Sequence, residues 1–468
     1  MDAAPAHAVN IASLAHQLRE ELTAADAPAA RLANGCPIVI AEVGALTRNV
    51  DPQEYDPHHV SIGPYHRIKN PDLARDDVKI RCLGAVLAAA SPAVTLEVYL
   101  DVIASLEAQA RSCYADTFLD WDSNVFVRML LLDACYVLGQ FGGVRAPRAN
   151  GHHAQGGPHR HNGAGAPAPF AGGDMMEPVA VVRDVIYLAE NQIPFFVVDA
   201  IHKITFPDGD VSAADAIAGY VRKILQGQQY SMATPAVVEP GNLLHLLHMH
   251  LKPTVLSSPR VTGDNDDGTG KRWFGRWRSA TEYLCAGVGF RSRPLGVNKE
   301  ARSILDVKLD SRGGTLEIPR LKIDAETPRL LRNLMELEQR NPVAAGSHVT
   351  AYCVFVSQLA CTPRDVELLS RRGVIAHGLG SHAEVADCLA DLCKGVAFGG
   401  DDPSENYLRA TWQGLEDRFR SRPRRWAAWL MLTYFSNPWL AVGLAAAAVG
   451  LVCTVVQAVY SVLSYTSQ

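Results

Sequence analysis

Closely spaced histidines are the first candidates for chemistry in this sequence. His245, His248 and His250 form an H-x-x-H-x-H pattern within an apolar stretch that predicts a helix. Residues three apart on a helix share a face, so His245 and His248 lie together while His250 points elsewhere. Because only two of the three side chains could reach one ion, we expect no metal site here.

A second group of histidines lies in a segment rich in glycine, proline and alanine. Residues 142–173 show no apolar periodicity and include His152, His153, His159 and His161. Such a composition is typical of a disordered loop, in which histidines are solvated. Residues 259–275 form a second polar segment that we also predict to be a disordered loop. We therefore expect neither a metal ion nor another cofactor at these positions.

The common signatures of catalysis are absent from the sequence. No G-x-S-x-G nucleophile elbow and no H-E-x-x-H zinc motif occurs. Residues 263–272 come nearest to a phosphate-binding loop, but their lysine is displaced and an arginine replaces the required serine or threonine. The acidic pairs Asp116/Asp120 and Glu336/Glu338 are interpreted as solvated helix faces. We predict no catalytic residue. An enzyme of unrecognised signature stays open, because catalytic groups scattered along a chain escape a motif search.

The cysteines and the N-terminus indicate the cellular compartment in which the protein is expected to lie. The chain has 10 cysteines at irregular spacing and no C-x-x-C pair, so most are interpreted as buried thiols rather than zinc ligands. The N-terminus lacks the basic and apolar regions of a secretory signal, and no N-x-S/T sequon occurs. These features favour a reduced body that faces the cytosol.

Composition excludes two broad classes of protein. Of the 468 residues, 48% are hydrophobic and 20% are charged, which is incompatible with a mainly disordered chain. The formal net charge of -5 provides no global basic field for nucleic acid, so no nucleic-acid partner is expected.

The elements that must position any functional residue are mostly helices. Helical periodicity covers residues 80–114, with a break near Ser91-Pro92, and the strongly apolar run 125–141. It returns in most segments from 181 onwards. Residues 304–309 and 315–323 instead alternate apolar and polar side chains around Arg312-Gly313-Gly314, which predicts a short hairpin or strand pair. The predicted fold class is mainly α with a small β element.

The C-terminal tail has the composition of a membrane helix. Residues 439–460 contain no charged side chain and would form a helix about 33 Å long, against a hydrocarbon core of about 30 Å. Aromatic residues flank this run on both sides. A cluster of arginines precedes it: Arg418, Arg420, Arg422, Arg424 and Arg425. The positive-inside rule then predicts a single-pass tail anchor with the large N-terminal body in the cytosol.

The predicted organisation has four parts. Residues 1–35 form a variable N-terminal segment, 36–437 a globular helical body, 438–462 the transmembrane helix and 463–468 a short tail. The alternative for the last helix is a soluble adaptor in which it packs into the core of its own chain.

Short motifs occur in a fixed order along the chain. They are, from residue 55 to residue 439, YDPHHVSIGPYH, ARSCY, MLLLD, ENQIPF, TEYLCAGVGF, LEIP, LRNLMELEQ and YFSNPW. This ordered set resembles the plant family DUF247, also called UPF0481, over about residues 36–462. One departure is DDVK at residues 76–79, where the family has Met-Glu-x-x-Lys. The resemblance implies a plant protein with a C-terminal membrane helix and no established enzymatic activity. Some grass relatives are linked to pollen self-incompatibility.

The motif residues themselves are interpreted as scaffold, with a ligand site as the alternative. Residues 60–62 are predicted to form a short buried strand that enters a fixed turn at Gly63-Pro64. Residues 190–192 are predicted to satisfy the free carbonyls of one helix and the free amides of the next. The positions assigned to this structural role are Tyr55, Pro57, Ser61, Gly63, Pro64, Tyr65, His66, Glu190, Asn191, Gln192, Pro194, Glu317, Pro319, Asn437, Pro438 and Trp439.

We therefore predict a non-enzymatic plant protein, tethered to a membrane of unspecified type, that acts by protein–protein interaction or signalling. Its expected partners are membrane lipid, through residues 438–462, and a protein whose identity the sequence does not specify. Partner choice is expected to lie in residues 1–35, 142–173 and 259–275, because loops on a rigid scaffold usually carry binding specificity.

Overall fold

The computed structural model describes most of the chain. The described residues are 36–116, 118, 120–144, 177–235, 239–254, 275–297, 299–310, 314–399, 406–421 and 438–466. The chain divides into two compact units. The first comprises residues 1–252, 326–350 and 394–397, and the second comprises 253–325, 351–393 and 398–468.

Helices make up nearly all of the regular structure before residue 253. In order they are α1 Ala45–Arg48, α2 Pro64–Lys69, α3 Asp76–Ala89, α4 Leu96–Ser112, α5 Ser123–Phe141, α6 Glu177–Val182, α7 Phe195–Thr205, α8 Ala213–Gly227 and α9 Leu243–Met249. A π-helical turn, Arg183–Tyr187, continues α6, and 3-10 turns lie at Pro52–Glu54 and Pro71–Ala74.

In the part of the chain after residue 253 that the structure describes, five short strands lie among the helices. In order, the elements are α10 Ala280–Cys285, β1 Gly289–Arg293, β2 Lys308–Leu309, β3 Thr315–Pro319, β4 Leu321–Ile323, α11 Thr327–Arg340, α12 Pro342–Ala345, α13 His348–Leu359, α14 Pro363–Arg371, β5 Ile375–His377, α15 His382–Leu392, α16 Arg409–Arg420 and α17 Pro438–Thr466. The prediction of a mainly α fold with a small β element is confirmed.

Helix α5 forms the centre of the first unit. Asp122 caps its N-terminus by accepting a hydrogen bond from the amide of Asn124 at 2.8 Å. The helix packs against α3, α4 and α7, and the side chains of Phe126, Met129 and Leu130 are fully buried. Burial of each large apolar side chain contributes about 1.5–3 kcal/mol, which explains why so apolar a helix lies inside the unit.

The second unit contains two small sheets. Strand β3 pairs in parallel with β1 and antiparallel with β2, so the predicted strand pair around residues 312–314 is confirmed. The predicted strand over residues 315–323 is in fact two strands, because β3 ends at Pro319 and β4, which begins at Leu321, pairs in parallel with β5 instead.

In the first unit, the helix break near Ser91-Pro92 is also confirmed, since α3 ends at Ala89 and α4 begins at Leu96.

The last helix, α17, presents apolar side chains to the outside of its unit. Val449, Leu451, Val452 and Val455 are all exposed, Leu451 to 67%. Within it, residues 446–460 form a mainly apolar helical segment that is shorter than a full membrane span. Among the described residues, α5 has the length and the apolar composition of a spanning helix, but 72% of its apolar stretch is buried, as expected for a core helix. The predicted crossing of a membrane by residues 438–462 therefore stays a prediction.

Two cysteines depart from the expectation of reduced thiols. Cys36 and Cys113, which are 77 residues apart in sequence, form a disulfide. The bond joins the segment before α1 to the end of α4, where Ile40 and Tyr114 also form a β-bridge. Cys82, Cys135 and Cys353 are buried outside the disulfide, but five other cysteines are half-buried or exposed: Cys285, Cys361, Cys388, Cys393 and Cys453. The interpretation that most cysteines are buried thiols is therefore wrong.

Candidate functional site

The backbone of residues 58–63 is held by side chains rather than by a sheet. The carboxylate of Asp184 accepts hydrogen bonds from the amides of His58, His59 and Val60, at 3.0, 2.5 and 3.0 Å. The predicted strand at residues 60–62 is therefore wrong. An extended segment needs partners for its buried amides, and here an aspartate on the π-helical turn after α6 supplies them.

The remaining amides of this segment are also paired. The amide of Ser61 donates to the carbonyl of Leu73 at 2.7 Å, that of Ile62 to Oδ1 of Asn191 at 2.6 Å, and that of Gly63 to Oδ2 of Asp133 at 2.8 Å. Asn191 returns two bonds through Nδ2, to the carbonyls of Val60 at 3.0 Å and of Asp184 at 2.8 Å. Every amide from His58 to Gly63 thus has a specific acceptor.

A buried lysine completes this arrangement. Lys79 Nζ lies 2.5 Å from Oδ1 of Asp133 and 2.6 Å from the carbonyl of Ser61, and both side chains are fully buried. We call the side chains of Lys79, Asp133, Asp184 and Asn191 the polar frame. Lys79 is the lysine of the diverged DDVK stretch, so the changes at residues 76 and 77 leave the frame intact.

Gly63 is required by its conformation and by its surroundings. Its φ of 72° and ψ of -172° are essentially restricted to glycine. A Cβ atom at this position would lie 2.4 Å from the carbonyl oxygen of Gln192. Pro64 then forms the first residue of α2, where its missing amide hydrogen costs nothing.

Glu190 forms a second buried cluster next to the polar frame. The amide of Val43 donates to Oε1 of Glu190, and the guanidinium of Arg48 lies 2.6 Å from the same oxygen. His66 Nε2 and Lys69 Nζ lie 3.2 and 3.3 Å from Oε2. Burial alone would raise the pKa of Glu190, but His66 and Arg48 together hold it at about 2. A carboxylate this acidic stays ionised at neutral pH and is not a general acid.

Gln192 joins two helix ends, but the second is not that of the next helix along the chain, as was predicted. Its Nε2 donates to the carbonyls of Val185 and Leu188, both at 2.9 Å, at the end of the π-helical turn. Its Oε1 accepts from the amides of Leu243 and Leu244, at 3.0 and 3.4 Å, in the first turn of α9. The amides therefore belong to a helix distant in sequence, not to α7, which follows directly after Pro194.

The other predicted structural residues of the first unit are buried around these clusters. Tyr55, Pro57 and His66 are buried, and the hydroxyl of Tyr65 donates to the carbonyl of Ile40 at 3.3 Å. Burial raises the pKa of Tyr65 well above its ordinary value. A tyrosine held neutral with a bonded hydroxyl stabilises the fold.

The other predicted residues lie outside the first unit. Glu317 and Pro319 lie on β3 of the second unit, where Glu317 forms an ion pair with Arg291. Pro438 and Trp439 begin α17, and Asn437 lies outside the described residues.

The predicted membrane-flanking arginines lie in two groups. Arg422, Arg424 and Arg425 lie outside the described residues. Arg420 is exposed at the end of α16. Arg418 is half-buried and donates from Nη2 to the carbonyl of Gly287 at 3.0 Å, so it contributes to the packing of its own unit.

Two acidic residues differ from the sequence interpretation. Asp116 and Asp120 are exposed as predicted, but they lie between α4 and α5 and not on a helix. Glu336 and Glu338 on α11 are buried. Glu336 pairs with Arg340 at 2.8 Å, and Glu338 accepts bonds from the amides of Val349 at 2.9 Å and Thr350 at 2.7 Å. The first turn of α13 needs acceptors for its free amides, and Glu338 provides them.

Of the polar frame, the sequence analysis assigned a structural role only to Asn191; Lys79 and Asp133 lie within quoted motifs without a role, and Asp184 lies in none of them. Only a weak signal was available: the charged pair Arg183-Asp184 interrupts an otherwise apolar helical stretch, VAVVRDVIYLA. Charged residues are almost never fully buried unless they are paired, so such an interruption can indicate a buried acceptor.

Comparison with known proteins agrees with these motifs. Residues 40–453 match the family DUF247, described as plant protein of unknown function. The chain belongs to the DUF247 family. It is 23% identical over 435 residues to a UPF0481 protein of Arabidopsis thaliana, covering 89% of this chain and 84% of that relative. A second Arabidopsis UPF0481 protein is 30% identical over 119 residues, or 25% of this chain and 21% of its own length. No solved structure matches the chain.

The chemistry available to this DUF247 arrangement is that of a structural core. Each charged group of the polar frame is bonded to backbone or to an opposite charge, and the carboxylate of Glu190 is ionised at neutral pH. Four motifs, YDPHHVSIGPYH, MLLLD, ENQIPF and LRNLMELEQ, meet here, the last through Asn333, whose Oδ1 accepts from the amide of Ala189 at 2.8 Å. The arrangement explains why these short motifs occur together in one chain.

Proposed function

We propose that this DUF247 protein is a non-enzymatic component tethered to a membrane by α17 and that it acts through protein–protein contacts. The observation that carries the proposal is the exposed apolar surface of α17. Each apolar side chain of this helix that stays in contact with water raises the free energy, by about 25 cal/mol per Å² of exposed apolar surface. Insertion into lipid removes that cost.

The dimensions of α17 support this proposal. Pro438–Thr466 corresponds to about 44 Å of helix, which exceeds a hydrocarbon core of about 30 Å. The helix contains no charged residue. Thr454 Oγ1 donates to the carbonyl of Gly450 at 2.8 Å, so its hydroxyl enters lipid already paired.

A pocket on the first unit bears on the alternative of an unrecognised enzyme. It has a volume of about 520 Å³, is open to solvent, and includes Arg67, Asp76 and Trp121 in its walls. Burial opposes ionisation of Asp76, but bonds from Arg128 and Arg67 lower the pKa of its carboxyl. This carboxylate is held ionised between two arginines, which favours a structural role over general acid–base catalysis.

Partner choice is assigned to residues 1–35, 142–173 and 259–275. Residues 1–35, 145–173 and 259–274 lie outside the described part of the chain, so the assignment rests on the sequence and on the structural role of the motifs. The polar frame and Glu190 are buried and bonded internally, so these motif residues offer a partner no accessible side chain.

Extraction of microsomes with alkaline carbonate tests the tether. The full chain should remain in the pellet, whereas a chain that ends at residue 437 and a Leu451→Arg/Val455→Arg variant should be released. Val211→Arg, at a similarly exposed valine in the loop before α8, is the matched control and should behave as wild type. Protease treatment of sealed microsomes should digest the N-terminal body. Full release of the wild-type chain by carbonate, or protection of its body, would overturn the proposal.

A further inference from the structure

Three buried side chains from separate segments of the first unit converge on one point. They are His248 on α9, Glu338 on α11 and His348 at the start of α13. Each offers one potential ligand atom, and these atoms all lie within 4.8 Å of one another. His248 Nε2 is 2.8 Å from Oε1 of Glu338, and His348 Nδ1 is 3.7 Å from the same oxygen.

We propose that His248, Glu338 and His348 form a binding site for a divalent transition-metal ion of the zinc type. Zinc binds imidazole nitrogen and carboxylate oxygen at about 2.0–2.2 Å. Two ligand atoms at that distance from a shared tetrahedral ion lie about 3.4 Å apart. The observed separations of 2.8 and 3.7 Å bracket that value. Small side-chain shifts would therefore bring all three atoms onto one ion.

The carboxylate of Glu338 is already oriented by its neighbours. Oε1 accepts the amide of Val349 at 2.9 Å, and Oε2 accepts the amide and the hydroxyl of Thr350, both at 2.7 Å. Bonds of this kind fix the direction of a metal-ligating carboxylate in known sites. The imidazole rings are also preassembled, with the centroids of His248 and His348 4.5 Å apart.

The positive charge of Lys252 acts on both histidines and opposes binding of a cation here. The ring atoms Nδ1 of His248 and Nε2 of His348 are buried without a hydrogen-bond partner, so the two rings are not fixed by bonds at their far sides.

This proposal departs from the expectation that no metal binds at the histidine groups. That expectation considered histidines that are close in sequence, and His245 and His248 alone supply too few ligands. Glu338 and His348 come from segments about 90 and 100 residues further along the chain. Because all three groups are buried, an ion here would stabilise the packing of α9 against α11 and the first turn of α13.

Zinc binding by the full chain in detergent tests the proposal. The protein is purified with a tag that contains no histidine, and the four histidines between 152 and 161 are changed to glutamine in all samples, because solvated histidines bind zinc weakly. The variants are His248→Gln and His348→Gln. His245→Gln is the matched control, since this buried histidine is adjacent to His248 on α9 but outside the ligand set.

The expected result is about one Zn²⁺ per chain in the parent and in the His245→Gln control. His248→Gln and His348→Gln should each weaken the affinity by more than the roughly 10–100-fold typical of losing an outer-sphere partner. Failure of the parent to take up a stoichiometric ion, or equal loss in the His245→Gln control, would overturn the proposal and leave a hydrogen-bonded His–Glu pair.

X-ray absorption spectroscopy of the parent protein counts the imidazole ligands of the bound ion directly. This measurement needs no variant, so it tests the proposal even if a ligand variant does not fold. Two imidazole ligands around the bound zinc, and a tetrahedral Co²⁺ spectrum after substitution, support the site. One imidazole or none contradicts it.

Discussion

Replacement of Gly63 by alanine tests the role of the most constrained position in the YDPHHVSIGPYH motif. Two effects act in the same direction. Alanine in this backbone region costs about 1–3 kcal/mol in strain. Its Cβ would also approach the Gln192 carbonyl to 2.4 Å, so the segment must shift. A shift large enough to break the 2.8 Å bond from the Gly63 amide to Asp133 costs a further 1.5–3 kcal/mol or so.

The sum is a loss of about 3–6 kcal/mol in the free energy of unfolding. For a unit of this size, each kcal/mol corresponds to roughly 2–4 °C in Tm, so the expected drop is about 6–24 °C. That is a large part of the 5–15 kcal/mol or so that stabilises a typical domain.

Thermal and urea unfolding of the chain without residues 438–468 measure this effect. Gly84→Ala is the matched control, because Gly84 lies within α3 and a Cβ there meets no atom within 4 Å. Alanine in an exposed helix interior should stabilise by about 0.5–1 kcal/mol, the opposite sign. If Gly63→Ala leaves Tm within about 2 °C of wild type, neither the strain nor the close approach governs this position.

Three other changes address the buried charges and the disulfide. Lys79→Met should lower the free energy of unfolding by about 3–5 kcal/mol, because it leaves the Asp133 carboxylate buried without its cation. In urea unfolding, the double variant with Asp133→Asn should recover part of that loss. The pKa of Glu190 falls from 4.5 to about 2 on folding, so its contribution of about 3 kcal/mol is present above pH 4.5 or so and lost as the pH falls towards 2. Glu190→Gln should therefore flatten the dependence of stability on pH in that window, and an unchanged slope would contradict the assignment. Cys36→Ser should lower the free energy of unfolding by about 2–4 kcal/mol, because the disulfide with Cys113 closes a loop of 77 residues. A reducing agent should then lower the Tm of the wild type but not of the variant.

Local patterns were sufficient to predict most of the helices and their ends. The apolar run of α5 and the break at Ser91-Pro92 are visible in periodicity and in proline placement, because both depend on neighbours in sequence. Thr362-Pro363 likewise predicts the start of α14, where Thr362 Oγ1 accepts the amide of Asp365 at 3.2 Å. Such features need no knowledge of the tertiary fold.

The bonding of residues 58–63 could not be predicted in the same way. Their side-chain acceptors, Asp133, Asp184 and Asn191, lie 70 to 129 residues away in sequence. An alternating Val-Ser-Ile segment is equally compatible with a strand and with an extended chain whose amides bind side chains. The sequence favoured the commoner arrangement, and the structure shows the second.

The same reason explains the misassigned glutamates. Glu336 and Glu338 lie on a helix rich in charge, which is typical of a solvated face. Their burial depends on Arg340 and on the first turn of α13, and the second partner becomes visible only in three dimensions.

Hydrogen–deuterium exchange tests most directly the claim that the DUF247 motifs build the fold. Residues 60–63 belong to no helix or strand, yet each of their amides donates either to a buried side chain or to a backbone carbonyl. The account predicts that these amides exchange as slowly as those in the centre of α5. It also predicts that Asp184→Ala and Asn191→Ala accelerate their exchange more than that of α8. Rapid exchange of residues 60–63 in the wild-type protein, at the rate of an unbonded surface loop, would contradict the account and would favour a ligand site at these motifs.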